Sequence, residues 1–145
     1  MGHELEEDNI GLLKCLIVDD HALMRNIAKE NLMSMGITNI DMAENGKMAY
    51  EKMNLNFANN QSQYDVVFLD WSMPEVDGYT VLTQCRDDIR YDKVAFVMVT
   101  SETEKHRVIM ALKAGATAYI QKPFSEAEFK ERLVNVFKWL KDRTV

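Results

Sequence analysis

No stretch of this chain stays apolar for the roughly 20 residues that a membrane helix needs, and none has the make-up of a secretory signal. Cysteine is scarce. Cys15 lies in an apolar strand-like run and Cys85 in a helical one, and neither belongs to a CxxC pair or to any metal spacing. Both read as reduced core residues, which fits a cytoplasmic protein; a disulfide between them is the alternative that sequence leaves open. No GxGxxG or GxxxxGK[ST] follows the first strand, so dinucleotide-binding and P-loop readings fall away. There is no internal repeat and no low-complexity segment. Basic residues form no stripe. The formal charge is −6, of which Glu4, Glu6, Glu7 and Asp8 supply −4, leaving −2 for everything after residue 9. A body so close to neutral is not a nucleic-acid binder. Residues 1–11 read as a disordered acidic leader, and 12–145 as one domain with enough apolar content for a core.

What is present is organised around Asp70. Residues 66–69 (Val-Val-Phe-Leu) are an unbroken apolar run, too short for a helix and rich in β-branched and aromatic side chains. Such a run is a parallel strand covered on both faces. Asp70 ends it, and Pro74 and Asp77-Gly78 supply turn chemistry. In open α/β sheets ligands bind just outside these carboxyl strand ends. An Asp after a strand is ordinarily a helix cap, but Asp77, directly before the next helical pattern, fits that role better.

The remaining chain repeats the unit. Residues 12–18 form a strand ended by Asp19-Asp20. A helix over 21–35 carries Met24, Ile27, Ala28, Leu32 and Met35 at helical spacing, with Gly36 as its cap. A short strand over 40–43 leads to a helix over 46–57, then a polar loop to Gln63. After Asp70 comes a helix over 79–89 with Val81, Leu82, Cys85 and Ile89 facing in. The fourth strand spans 94–99 and is ended by Thr100-Ser101. The fourth helix, 104–114, turns Val108, Ala111 and Leu112 inward and stops at Gly115. The fifth strand, 117–121, is ended by Lys122-Pro123. Ser125 and Glu128 make a capping box for the last helix. Five strand–helix units with right-handed crossovers give an α/β fold: a doubly wound five-stranded parallel sheet with helices on both faces.

The strand ends then carry the chemistry. Asp19, Asp20 and Asp70 bring three carboxylates to one rim, with Thr100 and Lys122 beside them. Lys122 offsets one negative charge. A hard divalent cation with oxygen ligands relieves the rest, and Mg²⁺ held by carboxylates and waters suits that geometry. A hydroxyl and an ammonium are suited to phosphoryl oxygens. A carboxylate can itself be the nucleophile that forms an acyl phosphate, and Asp70, on the middle strand, is the best placed. Asp19 and Asp20 would hold the metal.

These motifs resemble the receiver domains of two-component response regulators. Val18-Asp19-Asp20, residues 69–74 (Leu-Asp-Trp-Ser-Met-Pro), Asp77-Gly78, Val99-Thr100-Ser101, Ala114-Gly115-Ala116 and Lys122-Pro123-Phe124 match in order and separation, over residues 12–142. The likeness is greatest to the single-domain CheY-type chemotaxis regulators, through Asp70-Trp71, Met73-Pro74, residues 97–100 and Tyr119. The resemblance implies a flavodoxin-like strand order 2-1-3-4-5. It implies phosphorylation of Asp70 by a sensor histidine kinase or a small phosphodonor. Mg²⁺ would be bound by Asp20, Asp70 and the Ser72 backbone carbonyl, with Asp19 acting through water. Thr100 and Lys122 would contact the phosphoryl group, and the Lys122–Pro123 bond would be cis. Tyr119 would be the switch, and Lys105, Tyr119, Gln121 and Phe124 would lie on or near an output face built from the fourth helix, fifth strand and fifth helix.

The expected protein is a stand-alone phospho-acceptor, not an enzyme. It would signal by protein–protein contact as a monomer, in chemotaxis to the flagellar motor switch protein, with a phosphatase as a further partner. Ser72 stands where chemotaxis relatives often carry Asn; with Glu102 it flanks the phosphoryl site, so an altered phosphoryl lifetime is expected. The segment 54–63 is longer than typical and is expected to play no part in the chemistry. Two alternatives stay open: a phosphorelay intermediate or phosphate sink with the same chemistry, and a Mg²⁺-dependent phosphohydrolase. The second is disfavoured because Asp19 and Asp20 are adjacent, not alternating as in dehalogenase-like phosphatases.

Overall fold

Apolar strand runs and amphipathic helices alternate through the computed structural model, which describes residues 7–102 and 104–143. The strands are β1 (Lys14–Val18), β2 (Asn39–Ala43), β3 (Val66–Leu69), β4 (Ala95–Thr100) and β5 (Ala118–Gln121). The helices are α1 (Ala22–Ser34), α2 (Gly46–Ala58), α3 (Gly78–Arg86), α4 (Lys105–Lys113) and α5 (Glu126–Asp142). All strand pairs are parallel, in the order β2-β1-β3-β4-β5. This is the flavodoxin-like order that the resemblance implies. Among the described residues no helix is long and apolar enough to cross a membrane.

The period of two along each strand sorts the core into two layers. Val67 and Leu69 point to one side, where Met53, Val81, Leu82 and Ala111 of α2, α3 and α4 cover them. Val66 and Phe68 point to the other, against Ala28 and Leu32 of α1 and Phe129, Leu133 and Val136 of α5. Every residue of β3 and β4 is buried, as central parallel strands require. Cys15 and Cys85 are free, buried thiols, and burial pushes both up to about 12.

Three details differ from the sequence reading. Residues 1–6 of the expected leader lie outside the described residues, but Glu7–Leu12 is a 3-10 helix. Ile10 packs on the α1/α5 core layer, and its carbonyl accepts from the Leu13 N–H, so order begins before residue 12. Helix α3 ends at Arg86, where a 3-10 turn over Ile89–Tyr91 takes over. That turn breaks the helical period, so Tyr91 is buried and Ile89 is 80% exposed. Leu112 is 47% exposed, because Ala111 alone of α4 is fully buried. The 54–63 segment is held by side-chain bonds. The Lys14 ammonium donates to Asn56 Oδ1 and the Ser62 carbonyl, and Gln63 donates to the Met53 carbonyl.

The register aligns the strand ends. Val18 pairs with Leu69, and Leu69 with Met98. The Asp70 N–H donates to the Val18 carbonyl and the Lys122 N–H to the Thr100 carbonyl. Helix α3 locks this rim. Asp77 caps it by accepting from the Thr80 N–H, and the Gly78 N–H donates to the Trp71 carbonyl at 2.9 Å. A Cβ at Gly78 would sit 2.0 Å from the Asp70 carbonyl oxygen, a backbone atom with no room to move. Gly78→Ala therefore forces the rim apart. It is expected to destabilise the fold by about 1–3 kcal/mol in urea unfolding; an unchanged midpoint would show that the loop absorbs the methyl.

Candidate functional site

The aligned strand ends bring five side chains to one rim. Asp19, the first residue after β1, is 4% exposed, and Asp70, the first after β3, is 5% exposed. Thr100 closes β4 and is fully buried. Lys122 follows β5, and its ammonium reaches across to Asp19 Oδ2 at 2.5 Å and Asp70 Oδ2 at 3.3 Å. Asp20 is exposed on the solvent side of the rim. Asp19, Asp20 and Asp70, together with His21, offer ligand atoms that all lie within 4.8 Å of one another. The structure thus brings the sequence-predicted residues Asp19, Asp20, Asp70, Thr100 and Lys122 together. Ser72 sits two residues beyond Asp70 in the same loop. The Lys122–Pro123 peptide is cis.

The electrostatics follow from burial. Desolvation raises the pKa of Asp70 above the usual carboxylate range. Lys122 pulls it down, the Asp19 charge pushes it up, and the Thr100 hydroxyl holds it down. One ammonium against three carboxylates leaves a surplus of negative charge in a partly dry site. That donor set, oxygen-rich with a single imidazole beside it, fits a divalent cation.

A second network adjoins the rim. The Ser72 hydroxyl donates to Glu102 Oε1 at 3.3 Å, and the Arg107 guanidinium lies 3.6 Å from Glu102 Oε2. Arg107 also sits 5.1 Å over the ring of Trp71, which stacks on Tyr79 at 4.9 Å. The Tyr119 hydroxyl donates to the Glu102 carbonyl at 2.5 Å, and the Glu102 N–H donates to the Thr100 hydroxyl at 3.2 Å. Tyr119 is thus tied to the loop that begins at Thr100. Burial pushes its phenol up to about 12.

Sequence reasoning missed two members of the neighbourhood. His21 reads as the first residue of α1, yet it stands at the N-cap and turns Nδ1 to Asp20 Oδ1 at 3.0 Å. Its adjacency to Asp20 was the available signal. Arg107 carries no motif, and only the fold brings it over Trp71.

Comparison with known proteins decides the family. The response regulator receiver domain profile matches residues 15–134. The chain belongs to the response regulator receiver family. It is 39% identical over 121 residues to the chemotaxis protein CheY1 of Helicobacter pylori, covering 83% of this chain and 94% of that one. It is 37% identical over 124 residues to a CheY homolog of Campylobacter jejuni, covering 86% and 92%. Among solved structures, the Borrelia burgdorferi CheX–CheY–BeF3–Mg complex is similar at a TM-score of 0.75 and 29% identity, over 86% of this chain and 89% of that one. The resemblance to CheY-type regulators is therefore borne out, and the chain is a CheY-like signalling protein.

The raised pKa of Asp70 has a stability consequence. Its charged form is disfavoured in the folded state, so stability falls as pH rises from the ordinary carboxylate range through the raised value, and stays lost above it. Asp70→Asn removes the penalty. In chelator at about pH 7 the variant is expected to melt about 3 °C higher, the shift that about 1 kcal/mol gives in a domain of this size. The gain should vanish at about pH 3, where the wild-type carboxyl is protonated. A variant less stable than wild type at neutral pH would contradict the assigned cause.

Proposed function

We propose that this chain is a stand-alone response regulator that accepts a phosphoryl group on Asp70 and passes the signal on by protein contact. The observation that supports it is the rim itself: a buried carboxylate 3.3 Å from a mostly buried ammonium, flanked by two further carboxylates and a buried hydroxyl. The receiver unit is taken as residues 12–145, with 1–11 as a leader whose Ile10 packs on the receiver core.

In this reading an Asp70 carboxylate oxygen attacks the phosphorus of a phosphohistidine on a sensor histidine kinase, or of a small acyl phosphate. A new O–P bond forms, the donor's bond to phosphorus breaks, and the donor departs with the electron pair. Asp20, Asp70 and the Ser72 carbonyl would hold Mg²⁺, with Asp19 acting through water. The bound ion supplies the positive charge that the phosphoryl oxygens need. Lys122, already shared between Asp19 and Asp70, turns to a phosphoryl oxygen. The Thr100 hydroxyl donates to another.

Tyr119 is the switch. Its hydroxyl is bound to the carbonyl of Glu102, two residues after Thr100, so a displaced Thr100 shifts the partner of Tyr119. The coupling is a change of population between two packings, biased by new charge-assisted bonds. The readout face is the groove of α4, β5 and α5, lined by Val108, Leu112, Tyr119, Gln121 and Arg132. The CheY likeness favours the flagellar motor switch protein as the partner there. A phosphatase is a further partner, since the Borrelia relative was solved in a complex with CheX. The protein acts as a cytoplasmic monomer, and its chemistry ends on itself rather than on a released substrate. Ser72 and Glu102, bonded to each other beside the rim, set the phosphoryl lifetime.

The test offers Mg²⁺ and a small acyl phosphate to the full chain. Intact mass is expected to rise by one phosphoryl group, and Asp70→Asn to abolish the rise. Persistence of the gain in that variant would refute the assignment.

A further inference from the structure

We infer that His21 is a ligand position of the metal site, and that it tilts the site toward nitrogen-accepting first-row divalent cations of the nickel and zinc class over Mg²⁺. The inference rests on the reading of Asp20 and Asp70 as metal ligands. It starts from which donors at the rim are already engaged. Asp19 is taken on both oxygens: Oδ2 by the Lys122 ammonium at 2.5 Å, Oδ1 by the His21 backbone N–H at 2.9 Å. Asp20 has a different surrounding. Among the described residues it is paired with His21 alone, through Nδ1 at 3.0 Å. The imidazole of His21 is 68% exposed, so no packing fixes Nδ1 over the rim. Asp70 is held more loosely than Asp19, by Lys122 on Oδ2 at 3.3 Å and by the Thr100 hydroxyl. Among the described residues His21 Nδ1 touches only the carboxylates of Asp20 and, at 3.4 Å, Asp19. The donors most open to an incoming cation are therefore Asp20, Asp70 and His21 Nδ1.

Their spacing fits one ion. Adjacent ligands at about 2.1 Å from an octahedral cation stand about 3.0 Å apart, and opposite ones about 4.2 Å. Asp20 Oδ1 and His21 Nδ1 are 3.0 Å apart, and the full set spans at most 4.8 Å. A few tenths of an ångström of movement by an exposed side chain closes the remainder. Mg²⁺ is hard, keeps its waters and gains little from imidazole. Ni²⁺, Zn²⁺ and Cu²⁺ gain from it, in the usual order of divalent affinities. His21 thus separates the two metal classes, where carboxylates alone would separate them less.

The experiment uses the full chain with His3→Ala and His106→Ala, which leaves His21 as the one histidine of three. Calorimetry with nickel chloride and, separately, magnesium chloride gives the two affinities. His21→Ala is expected to weaken Ni²⁺ roughly 10-fold or more and to move Mg²⁺ less than about 2-fold. His21→Gln, which keeps a hydrogen-bond donor for Asp20 but ligates poorly, is expected to behave as His21→Ala does. Pulsed EPR of the Mn²⁺-loaded protein should show coupling to a nitrogen that either variant loses. Equal loss of Ni²⁺ and Mg²⁺ affinity, recovery of Ni²⁺ binding by His21→Gln, or absence of nitrogen coupling would overturn the ligand role while leaving the Mg²⁺ site intact. Failure of both metals to bind the His21-containing protein would overturn the inference and the metal reading beneath it together.

Discussion

One ammonium holds the rim of this sheet together. Lys122 enters from an edge strand and reaches over β4 to Asp19 and Asp70, which close β1 and β3. The bridge joins residues 103 positions apart, so it forms only when all intervening crossovers are in place. It also leaves a deficit. Two buried carboxylates and an exposed third share one positive charge, and desolvation makes that deficit costly. The fold carries this cost because the parallel topology delivers every strand's carboxyl end to the same side. A rim with this surplus of negative charge favours a cation that relieves it.

The same rim is wired outward through short links. Thr100 accepts from the Glu102 N–H, and the Glu102 carbonyl accepts from Tyr119. The Glu102 side chain meets Ser72 on one side and Arg107 of α4 on the other. In the proposed scheme Thr100 senses the phosphoryl group and Glu102, bonded to it, holds the switch residue. Arg107 adds a second connection, since it spans Glu102 and the face of Trp71 next to Asp70. On the α3 side, Trp71 stacks on Tyr79 and Gly78 closely approaches the Asp70 carbonyl, so the loop after β3 is tightly packed.

The architecture was readable because its signals are local and strong. The 66–69 run, the Asp77 cap and the Ser125–Glu128 capping box each carry a mechanism that needs no tertiary context, and each appears where expected. The gathering of Asp19, Asp20, Asp70, Thr100 and Lys122 followed from strand order, which came from the family likeness. Failures came where tertiary packing competes with a periodic pattern. Ile89 falls at helical spacing after Cys85, but Asp88 caps a 3-10 turn that hands the buried place to Tyr91. Leu112 matches an inward pattern on a helix that buries Ala111 alone, and it lines the groove instead. Arg107 and the inward turn of His21 Nδ1 had no periodic trace, because a long or exposed polar side chain is placed by what it finds in space.

In the proposed scheme the charge surplus at the rim is answered by one cation seated between Asp20 and Asp70. The most direct measurement is an anomalous difference map from a crystal of the protein soaked in Mn²⁺. A single peak within coordination distance of both carboxylates is the predicted result. A map with no peak there, or with manganese bound only at other carboxylates, would contradict it.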